Sequence, residues 1–212
     1  MTTIGEVDRT CALCGKTSEQ MTLGSTNAMG APDLDLRPSE MQRSTMSLWI
    51  EHCVHCGYTN KRIDLSVVGA EAVLPAQNKP EQALSLIEQF LTASRVADLT
   101  GDKTQAAHYA LCAAWAADDK EETDTAVRCR RRAIAYFNAA TDTPDADPDQ
   151  RLHTRVRMVD LLRRCLDWEA ASQLAQEIMT EGADGVIGDV VRFQLKLCKQ
   201  GDANCYTVAD VD

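Results

Sequence analysis

Two regimes of hydrophobic patterning divide the chain. In the first, apolar positions alternate over short stretches: Ser47-Leu48-Trp49-Ile50-Glu51-His52 and Lys61-Arg62-Ile63-Asp64-Leu65-Ser66-Val67 read as short strands of one hairpin. Strand patterning stops at residues 75–80, between Pro75 and Pro80, and helical spacing replaces it. Pro80 suits a first helical turn, Leu84, Ile87 and Leu91 then share one face as far as about Leu99, and Gly101 ends the helix. Asp102 with Gln105 is a capping-box signal for a second helix through His108, Leu111 and Trp115, and Asp119 with Glu122 offers the start of a third, ending at the loop 141–146. Asp147-Pro148-Asp149-Gln150 restarts the chain with a cap and a first-turn proline, after which Leu152, Val156, Val159, Leu162 and Leu166 line one face. Asp167-Trp168 opens the next helix, with Ala171, Leu174, Ala175 and Ile178 on one face up to Gly182, and residues 186–198 read as a closing helix. The expected fold is α+β, mainly α: a small β domain over residues 1–78, then a helical domain over 79–212.

Composition sharpens this picture. Of 212 residues 44% are apolar and 25% charged, which describes a folded globular chain, and the scarcity of aromatics (5%) beside abundant Ala, Leu, Gln and Arg favours helix. A formal net charge of −10 repels a phosphate backbone at long range, so duplex binding needs a local basic stripe. The candidates are Arg128, Arg130, Arg131 and Arg132, then Arg151, Arg155, Arg157, Arg163 and Arg164, all interleaved with acids on helices. Nucleic acid is therefore disfavoured. The first residues carry no signal-peptide pattern and the apolar run 109–117 is too short for a membrane span, so the expected address is the cytoplasm with no membrane partner.

Nine cysteines in an expected reducing compartment point to metal or buried thiols rather than disulfides. Four of them form two pairs, Cys11-Ala12-Leu13-Cys14-Gly15 and Cys53-Val54-His55-Cys56-Gly57, with zinc-ribbon spacing. The two-residue spacer lets a tight turn aim both sulfurs at one ion, and the glycine that follows can take positive φ. Two such knuckles give a closed four-thiolate site for one structural zinc ion on Cys11, Cys14, Cys53 and Cys56. His52 and His55 sit beside the sulfurs and are expected outside the ligand set. Cys112, Cys129, Cys165 and Cys198, alone on helices, read as small buried hydrophobes; the pattern gives Cys205 no role.

Between the knuckles Gly30, Pro32 and Pro38 mark a long loop, in which Asp33, Asp35, Arg37, Glu40 and Arg43 are expected to pin the loop to the ribbon through internal ion pairs rather than to read a partner. In the helical half, Leu161-Leu162 before Trp168 and the small Ala170, Ala171 and Ala175 look like a tetratricopeptide hairpin, and residues 106–140 like a more degenerate one.

Cys-x-x-Cys-Gly, the Asp-Leu-Arg-Pro loop, Trp49-Ile50 ahead of Cys-Val-His-Cys-Gly-Tyr and the later Asp160-Leu161-Leu162-Arg163-Arg164 with Asp167-Trp168-Glu169-Ala170 together resemble an uncharacterised bacterial family that joins an amino-terminal zinc ribbon to tetratricopeptide-like helices. The likeness runs over nearly the whole chain, and implies zinc on the four paired cysteines, a bacterial cytoplasm and no established activity. Ala12 and Val54 stand where that family often has proline.

The functional expectation is an interaction protein whose helical hairpins present a groove to a protein or peptide, with Tyr109, Arg132 and Tyr136 as contact candidates and Trp115 as core. A nucleic-acid or transcription accessory factor using the ribbon is the alternative. An enzyme is not expected, because His52, His55, His108 and His153 are scattered, no Ser-His-Asp set or phosphate loop is present, and a closed thiolate site cannot activate water.

Overall fold

The computed structural model describes residues 1–74, 84–142 and 147–211. The boundary expected at 75–80, with Pro80 in a first helical turn, lies outside the described residues, as do residues 143–146 of the loop before Asp147. Strand β1 (Thr3–Thr10) pairs antiparallel with β2 (Thr17–Ser25), and the much shorter β3 (Glu51–His52) with β4 (Thr59–Asn60). Six helices follow: α1 (Leu86–Leu99), α2 (Lys103–Asp118), α3 (Thr123–Thr141), α4 (Pro148–Arg164), α5 (Trp168–Thr180) and α6 (Gly185–Gln200). Each packs on its neighbour in sequence, and α4 also meets α6. The fold is thus mainly helical with a small β region at the front.

Local chemistry explains the boundaries. Ser85 and Glu88 form a reciprocal capping box at the start of α1, and the carboxylates of Asp102, Asp147 and Asp167 accept backbone N–H groups at the starts of α2, α4 and α5. Asp119 is different from expectation. It is the C-terminal flanking residue of α2, its carboxylate binds Arg37, and α3 starts after Glu122 without any side-chain cap. The turn is made instead by Glu121 at φ 59°, a left-handed position usually given to glycine. Leu166 does the same after α4 at φ 63° and is exposed, so it does not extend the apolar face of that helix.

The two stretches expected as a strand pair also differ. Residues Arg43–Leu48 form a 3₁₀ helix, only Glu51–His52 is extended, and 61–67 is a series of turns. Trp49 bonds back to Thr45 Oγ1 (3.1 Å), a helical contact, while Met46 and Ile50 enter the helical core. Apolar alternation here records anchoring in a second layer, not a pleat. After β4, Asn60 Oδ1 accepts the Lys61 N–H and Arg62 pairs with Asp64, which turns the chain off the strand.

α2 is buried on nearly all sides, as its Ala-rich sequence permits. α1 and α3 flank it, and Met46 and Ile50 reach it from the segment ahead of the second knuckle. Burial of each of those two side chains is worth roughly 1.5–3 kcal/mol. A second cluster joins Cys11, Cys53, Tyr58 and Ile63 to Val96 of α1, and a third, of Val159, Ala171, Ala175, Ile178 and Val191, holds α4, α5 and α6 together. Residues from both halves therefore share the first two cores.

Candidate metal centre

Each knuckle is the turn of a hairpin. β1 and β2 close at Thr10 and Thr17, β3 and β4 at His52 and Thr59, and the six residues between repeat the same hydrogen bonds. Cys11 N–H donates to Lys16 O (2.9 Å) and Cys53 N–H to Tyr58 O (2.8 Å); Gly15 N–H and Gly57 N–H return to the Cys11 and Cys53 carbonyls (both 2.9 Å). Gly15 (φ 70°) and Gly57 (φ 78°) take the left-handed conformation that these turns need. The next N–H groups, of Lys16 and Tyr58, aim at the sulfurs of Cys14 and Cys56.

The two turns bring Cys11, Cys14, Cys53 and Cys56 together, with every sulfur within 4.8 Å of the others. Cys11 Sγ lies 3.7 Å from Cys56 Sγ and Cys14 Sγ 3.6 Å from Cys53 Sγ, so sulfurs of the two knuckles meet each other. A tetrahedral ion with metal–sulfur bonds of about 2.3 Å has sulfur–sulfur edges of about 3.8 Å. The separations fit that edge and are far too long for disulfides, with S–S bonds of about 2.05 Å. Burial pushes the Cys53 and Cys56 thiols up, and binding of an ion as thiolates releases their protons. The four residues fit one metal ion in an all-thiolate shell, and no other His, Cys, Asp or Glu among the described residues joins the cluster.

The surroundings fix the two hairpins against each other. Gln20 on β2 exchanges hydrogen bonds with the backbone of His52 (3.1 Å each way), and Ala12 N–H donates to Ile63 O (2.8 Å). Arg9 pairs with buried Glu51 (3.0 Å), whose other oxygen accepts the Ile63 N–H (3.0 Å). His52 and His55 stand outside the cluster: His52 Nδ1 is 3.0 Å from Thr59 Oγ1, its pKa lowered by burial, and His55 Nε2 is 3.3 Å from Thr17 O on the surface.

The loop between the knuckles is pinned, but mostly to the helices. Arg43 pairs internally with Asp33 (2.6 Å), whereas Arg37 reaches Asp119 at the end of α2 (2.6 Å). Asp35 is fully buried, where its Oδ2 accepts Trp115 Nε1–H (2.7 Å) and pairs with Arg164 of α4 (3.2 Å). Arg164 also binds Asp118 (2.9 Å), which in turn takes Arg130 of α3. The carboxyl-terminal tail joins the same loop. Leu34 N–H donates to Tyr206 O, Val208 N–H to Pro32 O (both 2.9 Å), and Cys205 Sγ to Asp33 Oδ2 (3.3 Å), which gives Cys205 a structural partner. Buried Arg163 holds the tail through the carbonyls of Asp202 (2.6 Å) and Asn204 (2.9 Å). No periodicity or motif marks these pairs, because their partners lie far apart in sequence.

At least four of the nine arginines that form candidate basic stripes are taken up in ion pairs, while Arg128, Arg131 and Arg132 are exposed. Arg130, Arg163 and Arg164 are buried or nearly so in ion pairs, and Arg155 binds Glu177 and Glu181. Of the contact candidates, Tyr109 is buried against Phe90 and His108, Tyr136 is half-buried with its hydroxyl donating to Asp98 (3.2 Å), and Arg132 is exposed one turn before it. Tyr109 lines a cleft under the inter-knuckle loop; neither Arg132 nor Tyr136 does. Cys112, Cys129, Cys165 and Cys198 are buried, and burial raises all four thiols, as inert structural cysteines require.

His108 carries a pH prediction. Its Nε2 is 3.7 Å from Cys112 Sγ and its ring is 6.0 Å from that of Trp115, and burial, reinforced by the charge of Arg157, pushes its pKa down to about 4. An unfolded histidine titrates near 6.5. Between these values the unfolded chain binds a proton that the folded chain refuses, so stability falls as the pH drops through this window. His108→Gln is expected to lose about 3 kcal/mol less than the wild type between pH 7 and pH 4 in urea titrations. Equal losses would show that His108 is not held neutral by the fold.

Comparison of the chain with family models, curated proteins and solved structures gives no match, so its function is read from its own geometry. No described helix is long and apolar enough to cross a membrane.

Proposed function

We propose that this is a zinc-stabilised interaction protein that offers a groove of its helical half to a protein or peptide partner. Zinc is the reading for the ion because a closed tetrahedral set of four thiolates suits it and its role there is structural. Division into a ribbon (1–78) and a tetratricopeptide-like helical unit (79–212), a cytoplasmic address and membership of the bacterial family resembled above belong to the same reading. The observation that carries it is the groove between α3, α4 and α5, a cavity of about 700 Å³ with Ile134, Met158, Leu162 and Leu174 on its floor and Asn138 and Arg155 among its rim. An apolar floor with a polar rim is the form in which helical repeats receive peptides. Binding is favoured over catalysis because the sulfur cluster leaves no open coordination position and the His108–Cys112 pair combines a neutral imidazole with a protonated thiol. The nucleic-acid alternative is weakened by the pairing of Arg130, Arg155, Arg163 and Arg164 with carboxylates.

Affinity capture from the native host tests the reading. Exposed Asn138 changed to Glu should remove the captured partner while metal content and helicity stay unchanged. Arg132→Glu, on the same helix but outside the groove, tests the alternative face of α3. A captured set unaffected by Asn138→Glu would take this groove out of consideration.

A further inference from the structure

A second cavity, independent of the peptide groove, lies where the inter-knuckle loop faces α2. It measures about 670 Å³, within the usual range of small-molecule sites. One wall is aromatic: Trp49 and Trp115 meet edge to face at 6.5 Å between centroids, and His108 stands 6.0 Å from Trp115 and 6.2 Å from Tyr109. The opposite wall is loop, with Gly30, Pro32, Leu36 and Pro38.

Three features indicate a ligand. First, Ser39 lines the cavity, is only 9% exposed, and its buried Oγ has no hydrogen-bond partner among the described residues. A buried hydroxyl without a partner is costly unless a bound group completes it. Second, the cavity wall has no carboxylate among the described residues, although the chain carries 32 acids; its one charged residue is Lys61, and Gln42 and Gln105 also line it. Asp35, which takes the Trp115 indole N–H, is neutralised by Arg164. Third, the loop wall is held in a strained shape. Leu36 (φ 67°) and Met41 (φ 70°) occupy the left-handed region, a cost of about 1–3 kcal/mol each for non-glycine residues, while the Asp33–Arg43, Arg37–Asp119 and Asp35–Arg164 pairs keep the loop in place. Strain retained around a cavity is a mark of preorganisation for binding.

We infer that this cleft binds a small planar aromatic anion, such as an aromatic carboxylate, with its ring against Trp49, Tyr109 and His108, Lys61 supplying the complementary charge and Ser39 a hydrogen bond. Aromatic walls favour a flat ring, and a wall whose sole charge is positive selects against cations.

The three tryptophans make the test specific. In ¹⁵N-labelled, metal-loaded full-length protein, titration with indole-3-acetate should shift the indole N–H signals of Trp49 and Trp115 saturably and leave that of Trp168, on α5, in place. The neutral indole-3-acetamide should bind several-fold more weakly, and the cationic tryptamine should leave the signals unmoved. Lys61 is exposed, so Lys61→Glu preserves the fold while reducing affinity for indole-3-acetate about ten-fold and leaving that for the amide nearly unchanged. No movement of the Trp49 and Trp115 signals with any of the three probes overturns the site, as does equal binding of anion and cation. Unsaturable movement of all three indole signals shows surface association and overturns it equally.

Discussion

Replacing Cys53 with serine is expected to abolish metal binding and unfold the amino-terminal third while leaving most helix intact. Cys53 is fully buried, its sulfur is one corner of the cluster, and its backbone N–H closes the second knuckle on Tyr58. A structural zinc ion contributes apparent binding free energy of about 10–16 kcal/mol at neutral pH, as much as or more than the total stability of about 5–15 kcal/mol of a typical domain. The β1–β2 hairpin is largely exposed and β3–β4 has two residues per strand, so neither has a core of its own to replace that contribution. Elemental analysis should read about one zinc per chain in the wild type and none in the variant. Amide exchange should lose protection through β1, β2 and the knuckles and keep it in α4, α5 and α6, whose shared core holds no residue of the amino-terminal third. Trp49, carried on the segment just before the second knuckle, should lose its near-ultraviolet dichroism. Retention of one ion and an unchanged melting temperature in the variant would mean that these four sulfurs are not the metal shell.

The sulfur set was legible in the sequence because it obeys a local rule: a two-residue spacer, a following glycine, and a repeat of the same unit. The helical starts at Asp102, Asp147 and Asp167 were legible for the same reason, since a cap and the N–H groups it accepts lie within three residues. Asp119 misled because the same acid-x-x-acid spacing serves another purpose, a pair with Arg37 contributed from the ribbon loop. The strands expected over 47–52 and 61–67 failed because alternation does not say which core an apolar residue enters, and Met46 and Ile50 belong to the helices. Least legible was the loop. Its charges have the spacing of internal pins, yet Asp35 is joined to Trp115 and Arg164 and the tail residues 206–208 pair with residues 32–34. Long-range polar pairing has no sequence period, and only the fold reveals it.

That loop supports the second large effect. Asp35, Arg164, Asp118 and Arg130 form a chain of ion pairs that runs from the inter-knuckle loop through α4 to α2 and α3, with Asp35 wholly buried and Trp115 Nε1–H donated to it. Asp35→Ala removes one acceptor and leaves the Arg164 guanidinium and an indole N–H short of a partner in the interior. Breaking a buried pair in this way costs about 3–5 kcal/mol, more than the pair itself adds over an apolar replacement of similar volume. Arg164→Met should also destabilise, by leaving the Asp35 carboxylate with the indole and the Arg37 backbone N–H and no counter-charge, but Asp118 keeps Arg130 and the loss should be smaller. In the double variant Asp35→Leu with Arg164→Met no uncompensated charge remains, so its loss in urea unfolding should fall short of the summed losses of the single variants Asp35→Leu and Arg164→Met by about 2 kcal/mol or more. Losses that add within about 0.5 kcal/mol would show that the two residues act independently and that the loop is held by Arg37, Arg43 and the tail. Metal content separates this effect from the first, because Asp35 touches no sulfur in the cluster. A single Asp35 variant should keep its ion and yet release the loop, so that the ribbon survives as a folded knuckle pair held to α2 by Met46, Trp49 and Ile50.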